Sequence, residues 1–260
     1  MSLETHCIRF FLSRVNLFKN LSLSFLVIIF GNFSVAAPAI IPRAPDISAT
    51  SYILLDARTG HIIVEENADE PLPPASLTKI MTAYIAIEEI ISGNLSLNDE
   101  VHISEKAWRM EGSKMFVEVD TQVSMEDLLR GIIIQSGNDA SVAVAEHIAG
   151  SEEAFADMMN QYGEVLGLTQ SFFMNSSGLD TELYYNTMSA RDLSLLAKAT
   201  INRHSDFYPM YSEREFTYND IPQTNRNTLL FRDRNVDGLK TGWTDAAGYC
   251  LVSSAERDGM

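Results

Sequence analysis

Hydrophobic and polar positions divide the chain into a leader and a patterned body. Residues 21–30 (LSLSFLVIIF) carry no charge. Before them Arg9, Arg14 and Lys19 stand against the single acid Glu4, and after them residues 34–39 (SVAAPA) are small. A basic start, a short apolar run and small residues form the pattern of a secretory signal, expected over residues 1–37 with cleavage after Ala36 or Ala39. The run is short for a membrane span of ~20 residues, which weighs against an uncleaved anchor. Residues 38–50 are proline-rich and predict an extended leader. Residues 52–56 and 61–66 are apolar and β-prone around the turn Ala57-Arg58-Thr59-Gly60, which predicts a hairpin.

From Ala75 to Ile91 the apolar spacing is helical, and Gly93 stops it. Ser124 with Asp127 predicts a capped helix to about Gln135, broken at Ser136-Gly137. Residues 139–149 are apolar on most sides and predict a buried helix. Ser151 caps a helix to about Leu166, and Ser189 opens another that ends near Asn202. Residues 169–185 look like loop. Residues 213–227 are polar, with a possible short hairpin, and 236–242 lead into a strand near 248–255. Two strands, a helical block and a last strand predict an α/β fold with a helical subdomain.

Composition narrows the classes of function. Hydrophobic residues make up 46% of the 260, as in a globular domain. The net charge is −16, and removing residues 1–37 leaves 16 bases against 34 acids, or −18. Such a chain repels nucleic acid. Cys7 and Cys250 are the only cysteines, so a disulfide scaffold and a cysteine-rich zinc site are excluded, and Cys250 is expected as a small buried strand residue. His61, His102, His147 and His204 have no ligand spacing, so neither metal nor cofactor is expected. Glu88-Glu89 and Glu152-Glu153 are expected to be solvated on helix faces, and Met158-Met159 to be core.

The candidate chemistry lies in three short motifs. Ser76-Leu77-Thr78-Lys79 opens the first helix and places Ser76 and Lys79 one turn apart on one face. The helix dipole favours negative charge at Ser76, and a lysine of lowered pKa can take the serine proton. Alone, such a pair is expected about once by chance in a chain of this length. Ser-x-Asn occurs three times. Ser92-Gly93-Asn94 lies too far along the first helix to reach Ser76, and Ser96-Leu97-Asn98 is a surface turn. Ser136-Gly137-Asn138 lies between two helices, where Ser136 can relay a proton and Asn138 can bind a substrate carbonyl. Arg58-Thr59-Gly60 belongs to the hairpin turn. Lys240-Thr241-Gly242 precedes the last strand, where Lys240 and Thr241 can hold a terminal carboxylate and Gly242 permits close approach. The amides of Trp243 and Ser76 can form an oxyanion hole.

The order of the motifs, with 60 and then 104 residues between their first serines and the lysine, is far more specific than any one of them. Here the sequence resembles the penicillin-binding and serine β-lactamase superfamily. The segments 74–82, 130–140, 167–179 and 236–249 look like the low-molecular-mass D-alanyl-D-alanine carboxypeptidases of the penicillin-binding protein 5 and 6 type. The resemblance covers about residues 45–260. It implies an antiparallel sheet with helices on both faces plus a helical subdomain. It implies Ser76 as nucleophile, Lys79 as proton acceptor, Ser136 as assistant and Asn138 as substrate ligand. Lys240, Thr241 and Arg226 would bind the terminal carboxylate. The implied substrate is a peptidoglycan stem peptide ending in D-Ala-D-Ala, with β-lactams as covalent inhibitors and a periplasmic location.

Two departures stand out. Trp243 occupies a position where several relatives carry His. Two strands, a helix, a β-rich domain and a membrane-anchoring helix that follow in full-length relatives are not found before Met260, so residues 51–260 are expected to be an incomplete catalytic domain of low stability. A serine β-lactamase is the first alternative, since Glu182-x-x-x-Asn186 fits a deacylation string whose flanks instead resemble the carboxypeptidases. A non-catalytic cell-wall-binding protein is the second.

Overall fold

The computed structural model describes residues 45–180 and 185–260. The signal segment, most of the leader and Glu182 lie outside them. The first hairpin pairs β1 (Tyr52–Leu55) with β2 (Ile62–Glu66). Its turn is closed by Asp56, whose carboxylate accepts from Arg58 N and from Thr59 N and Oγ1. A 3₁₀ turn (Ala75–Thr78) leads into α1 (Lys79–Ile91). The helical block continues with α2 (Glu105–Arg109), α3 (Met125–Arg130), α4 (Asn138–Ala149), α5 (Glu152–Leu166) and α6 (Ala190–Arg203). Short strands β3 (Glu100–His102) and β4 (Gln122–Ser124) pair within it, an element the hydrophobic pattern did not announce. Two hairpins follow, β5 (Glu215–Tyr218) with β6 (Ile221–Thr224), and β7 (Val236–Thr244) with β8 (Gly248–Ala255).

Serine starts the helices for a local reason. Ser104, Ser124, Ser151 and Ser189 are N-caps whose side chains accept from Ala107, Asp127, Ala154 and Asp192 N. Each cap satisfies an otherwise unpaired N–H and contributes about 1 kcal/mol. α1 is buried on all sides from Lys79 to Ile87. One flank meets a core with Leu128, Ile132, Val142, Tyr211 and Leu239, and the other, carrying Tyr84, meets Phe155, Met159 and Phe173. A helix apolar all round belongs at the centre of a domain, and here it sets the floor beneath Ser76.

Several expectations need correction. The first long helix opens as a 3₁₀ turn, so Ser76 precedes the α-helix proper. The helix from Ser124 runs to Gln135 as expected, but winds as a π-turn over Gly131–Gln135. Lys240-Thr241-Gly242 precedes the last strand, β8, as expected, but is itself part of a strand, β7, with β8 antiparallel beside it. The α/β class with antiparallel strands is as expected, and among the described residues the strands form four two-stranded pairs. Cys250 is only half-buried. Glu88 is largely covered and bonded to His204 Nε2 at 2.8 Å, and Glu152 is buried; neither is solvated. Met159 is core, as expected.

Candidate active site

The turn carrying Ser76 is held by its neighbours. Ala75 adopts a left-handed φ of +48°, a conformation costing an L-residue about 1 kcal/mol. It presents Ser76 on the 3₁₀ turn, where positions three apart eclipse. Lys79 Nζ stands 3.1 Å from Ser76 Oγ, 2.6 Å from Asn138 Oδ1 and 2.6 Å from Ser177 O. The lysine is fully buried and touches no carboxylate among these partners.

Burial pushes the Lys79 pKa well below its ordinary value, and the positive charges of Lys240 and Arg226 add to this. Asp139 and Glu152 oppose them. A neutral lysine beside a serine is what proton abstraction requires. Lys240 is also buried, and desolvation with the nearby Arg226 charge brings it down to about 7. Its Nζ donates to Thr241 O at 3.1 Å.

Ser136 is buried in the left-handed region with φ +67°. Three ties fix this turn. Gly137 N donates to Gly131 O, and Arg226 donates from its own N to Ile134 O and from Nε to Gln135 O. Arg226 thus braces the Ser136 turn while its exposed side chain adds positive charge near Lys240 and Lys79. Asn138 braces Lys79 through Oδ1 and donates from Nδ2 to Glu111 O at 2.7 Å. One amide N–H remains for a ligand.

The strand motif meets the Ser76 turn. A Cβ on Gly242 would sit 3.1 Å from Ser76 N and 3.1 Å from Pro74 O, so β7 approaches the turn at backbone distance. Trp243, next along, points its ring outward, is 56% exposed and lies 6.4 Å from the Tyr249 ring. Side chains alternate along a strand, so the Trp243 ring lies on the face of β7 opposite the one Gly242 turns to Ser76. Asn227 Nδ2 donates to Gly238 O and holds the start of β7.

Sequence reasoning missed the residues that act through backbone. Ser177 supplies a carbonyl, not a side chain. Its loop is pinned by Asn175 Oδ1, which accepts from Ser177 N and Gly178 N, and by Asn186, which donates to Thr78 Oγ1 at 3.0 Å. Asn186 is thereby engaged in structure. Asp139 accepts from the N–H groups of Met115, Phe116, Val117 and Ala140 and anchors the loop carrying Glu111. An Asn/Ser/Gly-rich stretch was the available signal for the first, and an acid in the first turn of α4 for the second.

A serine–lysine pair over a buried helix, an S-x-N turn and a K-T-G strand define the penicillin-binding protein and serine β-lactamase fold class. Comparison with known proteins carries this further. The pattern of the D-alanyl-D-alanine carboxypeptidase family matches residues 38–260, and the chain belongs to that family. It is 45% identical over 225 residues to D-alanyl-D-alanine carboxypeptidase DacC of Escherichia coli, covering 84% of this chain and 56% of that one. The chain therefore spans about half the length of the curated relatives it matches. Penicillin binding protein 5 from Haemophilus influenzae superposes with TM-score 0.80 at 43% identity, over 84% of this chain and 64% of that one. A penicillin-binding protein from Listeria monocytogenes in an ampicillin-bound form superposes with TM-score 0.76 at 29% identity, over 84% and 88%.

Proposed function

We propose that this protein is an exported serine D-alanyl-D-alanine carboxypeptidase acting on peptidoglycan stem peptides. The observation that carries this is the Lys79 amine, buried and depressed in pKa, 3.1 Å from Ser76 Oγ with no acid bonded to it. Ser76 Oγ attacks the carbonyl carbon between the two terminal D-alanines as Lys79 takes its proton. Negative charge on the carbonyl oxygen is met by the amides of Ser76 and Trp243. The C–N bond breaks as Ser136 passes a proton to the leaving nitrogen, and D-alanine departs. Water then hydrolyses the ester on Ser76. Lys240, Thr241 and Arg226 hold the terminal carboxylate, and Asn138 binds the acyl-side amide. A β-lactam opens its ring on Ser76 by the same attack.

Family membership and the ampicillin-bound relative support this reading. Residues 1–37 serve as a cleaved export signal, consistent with a substrate outside the cytoplasmic membrane, and in this reading no metal or cofactor takes part. The β-lactamase alternative loses ground because Asn186 is occupied by Thr78 and its own loop. Intact-mass spectrometry after brief exposure to benzylpenicillin tests the proposal. The expected result is a lasting single adduct on Ser76 that Ser76→Ala abolishes. Rapid penicillin hydrolysis without an adduct would point to a β-lactamase, and an unmodified folded chain with intact penicillin to a binding protein.

A further inference from the structure

A neutral lysine has two N–H bonds and one lone pair, and only the lone pair can take the Ser76 proton. Asn138 Oδ1 and Ser177 O, both at 2.6 Å, accept the two N–H groups, and the remaining direction faces Ser76 Oγ at 3.1 Å. The Ser177 carbonyl is therefore half of what aims the lone pair. Its own position is set from outside the three motifs. Glu152, the first residue of α5, is buried and accepts through Oε1 from Ser176 N at 3.1 Å and Ser176 Oγ at 2.8 Å. On the other side of the same residue, Ser176 O accepts from Thr82 Oγ1 at 2.6 Å, three residues along α1 from Lys79. Ser176 is thus gripped through its N–H, its hydroxyl and its carbonyl, directly before Ser177.

A buried carboxylate close to Lys79 also carries an electrostatic cost, because it favours the protonated amine. The charged groups that act on Lys79 are Lys240 on β7 and Arg226 after β6, which favour the neutral form, and Asp139 on α4 and Glu152 on α5, which oppose it. Lys106 on α2 bridges Glu152 Oε2 at 3.0 Å, with Glu153 Oε1 at 3.1 Å. We infer that Glu152 and Lys106 are a positioning pair for the proposed acylation: Glu152 clamps the Ser176–Ser177 turn so that the Ser177 carbonyl aims the Lys79 lone pair at Ser76, and Lys106 cancels the negative charge this clamp brings to the site. The inference rests on the proposed acyl-enzyme chemistry.

The test measures the rate of benzylpenicillin adduct formation against pH on the full chain. Glu152→Ala frees the turn and is expected to slow acylation about tenfold to a hundredfold, the scale of a misaligned reacting pair. Glu152→Gln keeps the acceptor for Ser176 but removes the charge, so acylation survives and its acidic limb moves to lower pH. Lys106→Met leaves the charge uncancelled, so the limb moves to higher pH. The double variant Lys106→Met/Glu152→Gln loses that upward shift. Opposite displacements of one limb by two neighbours are not produced by mere loss of packing. The inference is overturned if Glu152→Gln and Lys106→Met both leave the limb in place, or if folded Glu152→Ala acylates at the unsubstituted rate. Absence of any adduct on the unsubstituted chain would overturn the acyl-enzyme reading itself and this inference with it.

Discussion

Replacing Gly178 by alanine offers the sharpest check on how the Ser76 turn is held. Gly178 has φ +74°, and a Cβ built there would lie 1.9 Å from Ala75 O, 2.6 Å from Ala75 C and 2.7 Å from Thr78 Oγ1. All three belong to the turn that carries Ser76, and two of them are backbone that no rotamer change can move. Restoring a tolerable 3.2 Å to Ala75 O needs a displacement of about 1.3 Å. The left-handed φ costs an alanine about 1 kcal/mol, and forced overpacking adds about 1–3 kcal/mol. A loss of about 2–4 kcal/mol in stability is therefore expected. A shift of about 1 Å at the reacting atoms costs on the order of a hundredfold in rate, or about 2.7 kcal/mol of barrier. The assay is the time course of benzylpenicillin adduct formation by intact mass, beside a thermal melt of the same sample. Gly150→Ala is the control, since φ is +81° there but nothing lies within 4 Å, so it should cost about 1 kcal/mol of stability and leave acylation unchanged. Gly242→Ala, with contacts at 3.1 Å, 3.1 Å and 3.2 Å, should fall between them. A folded Gly178→Ala protein that acylates within about threefold of the unsubstituted rate would refute the claim that this contact seats Ser76.

Lys79→Met should give a folded protein with no adduct at any pH, checked by mass and circular dichroism. In the unsubstituted protein acylation should rise with pH as Lys79 loses its proton, and binding of carboxylate-bearing ligands should weaken as pH climbs past about 7, where Lys240 loses its charge. Lys240→Arg should move that alkaline limb upward. Stability follows the same group with a definite sign. The folded pKa of about 7 lies below the unfolded 10.5, so the folded state binds fewer protons between them. Stability should rise from about pH 7 towards 10.5 by up to about 1.4 kcal/mol per unit, and the cost of burying the charge is fully present below 7. Denaturant melts across that range on Lys240→Met should show a smaller slope. Asp139→Ala should destabilise by more than about 3 kcal/mol, because it strands the N–H groups of Met115, Phe116 and Val117. A melt within about 1 kcal/mol of the parent would contradict that account.

The order and spacing of three motifs were legible in the chain, and so were Ser124, Ser151 and Ser189 as helix caps. Caps and turns are local, decided within three or four residues, and a linear reading captures them. The same holds for the serine–lysine spacing, which helical geometry alone turns into a 3.1 Å contact. Reading Glu152 as solvated failed for the opposite reason. Its partners Ser176 and Lys106 lie 24 residues ahead and 46 behind, and no pattern on α5 distinguishes it from the exposed Glu153.

By itself the sequence determined which residue types reach the site and in what chain order, because short-range geometry and composition suffice for that. The tertiary structure alone decided what surrounds them. Lys79 is depressed because the packing around it removes its water and brings Lys240 and Arg226 near it. Its amine is held because a backbone carbonyl 98 residues away accepts one of its protons. Desolvation and main-chain contacts depend on everything folded around a residue, and neither is written in the identity of the residue itself.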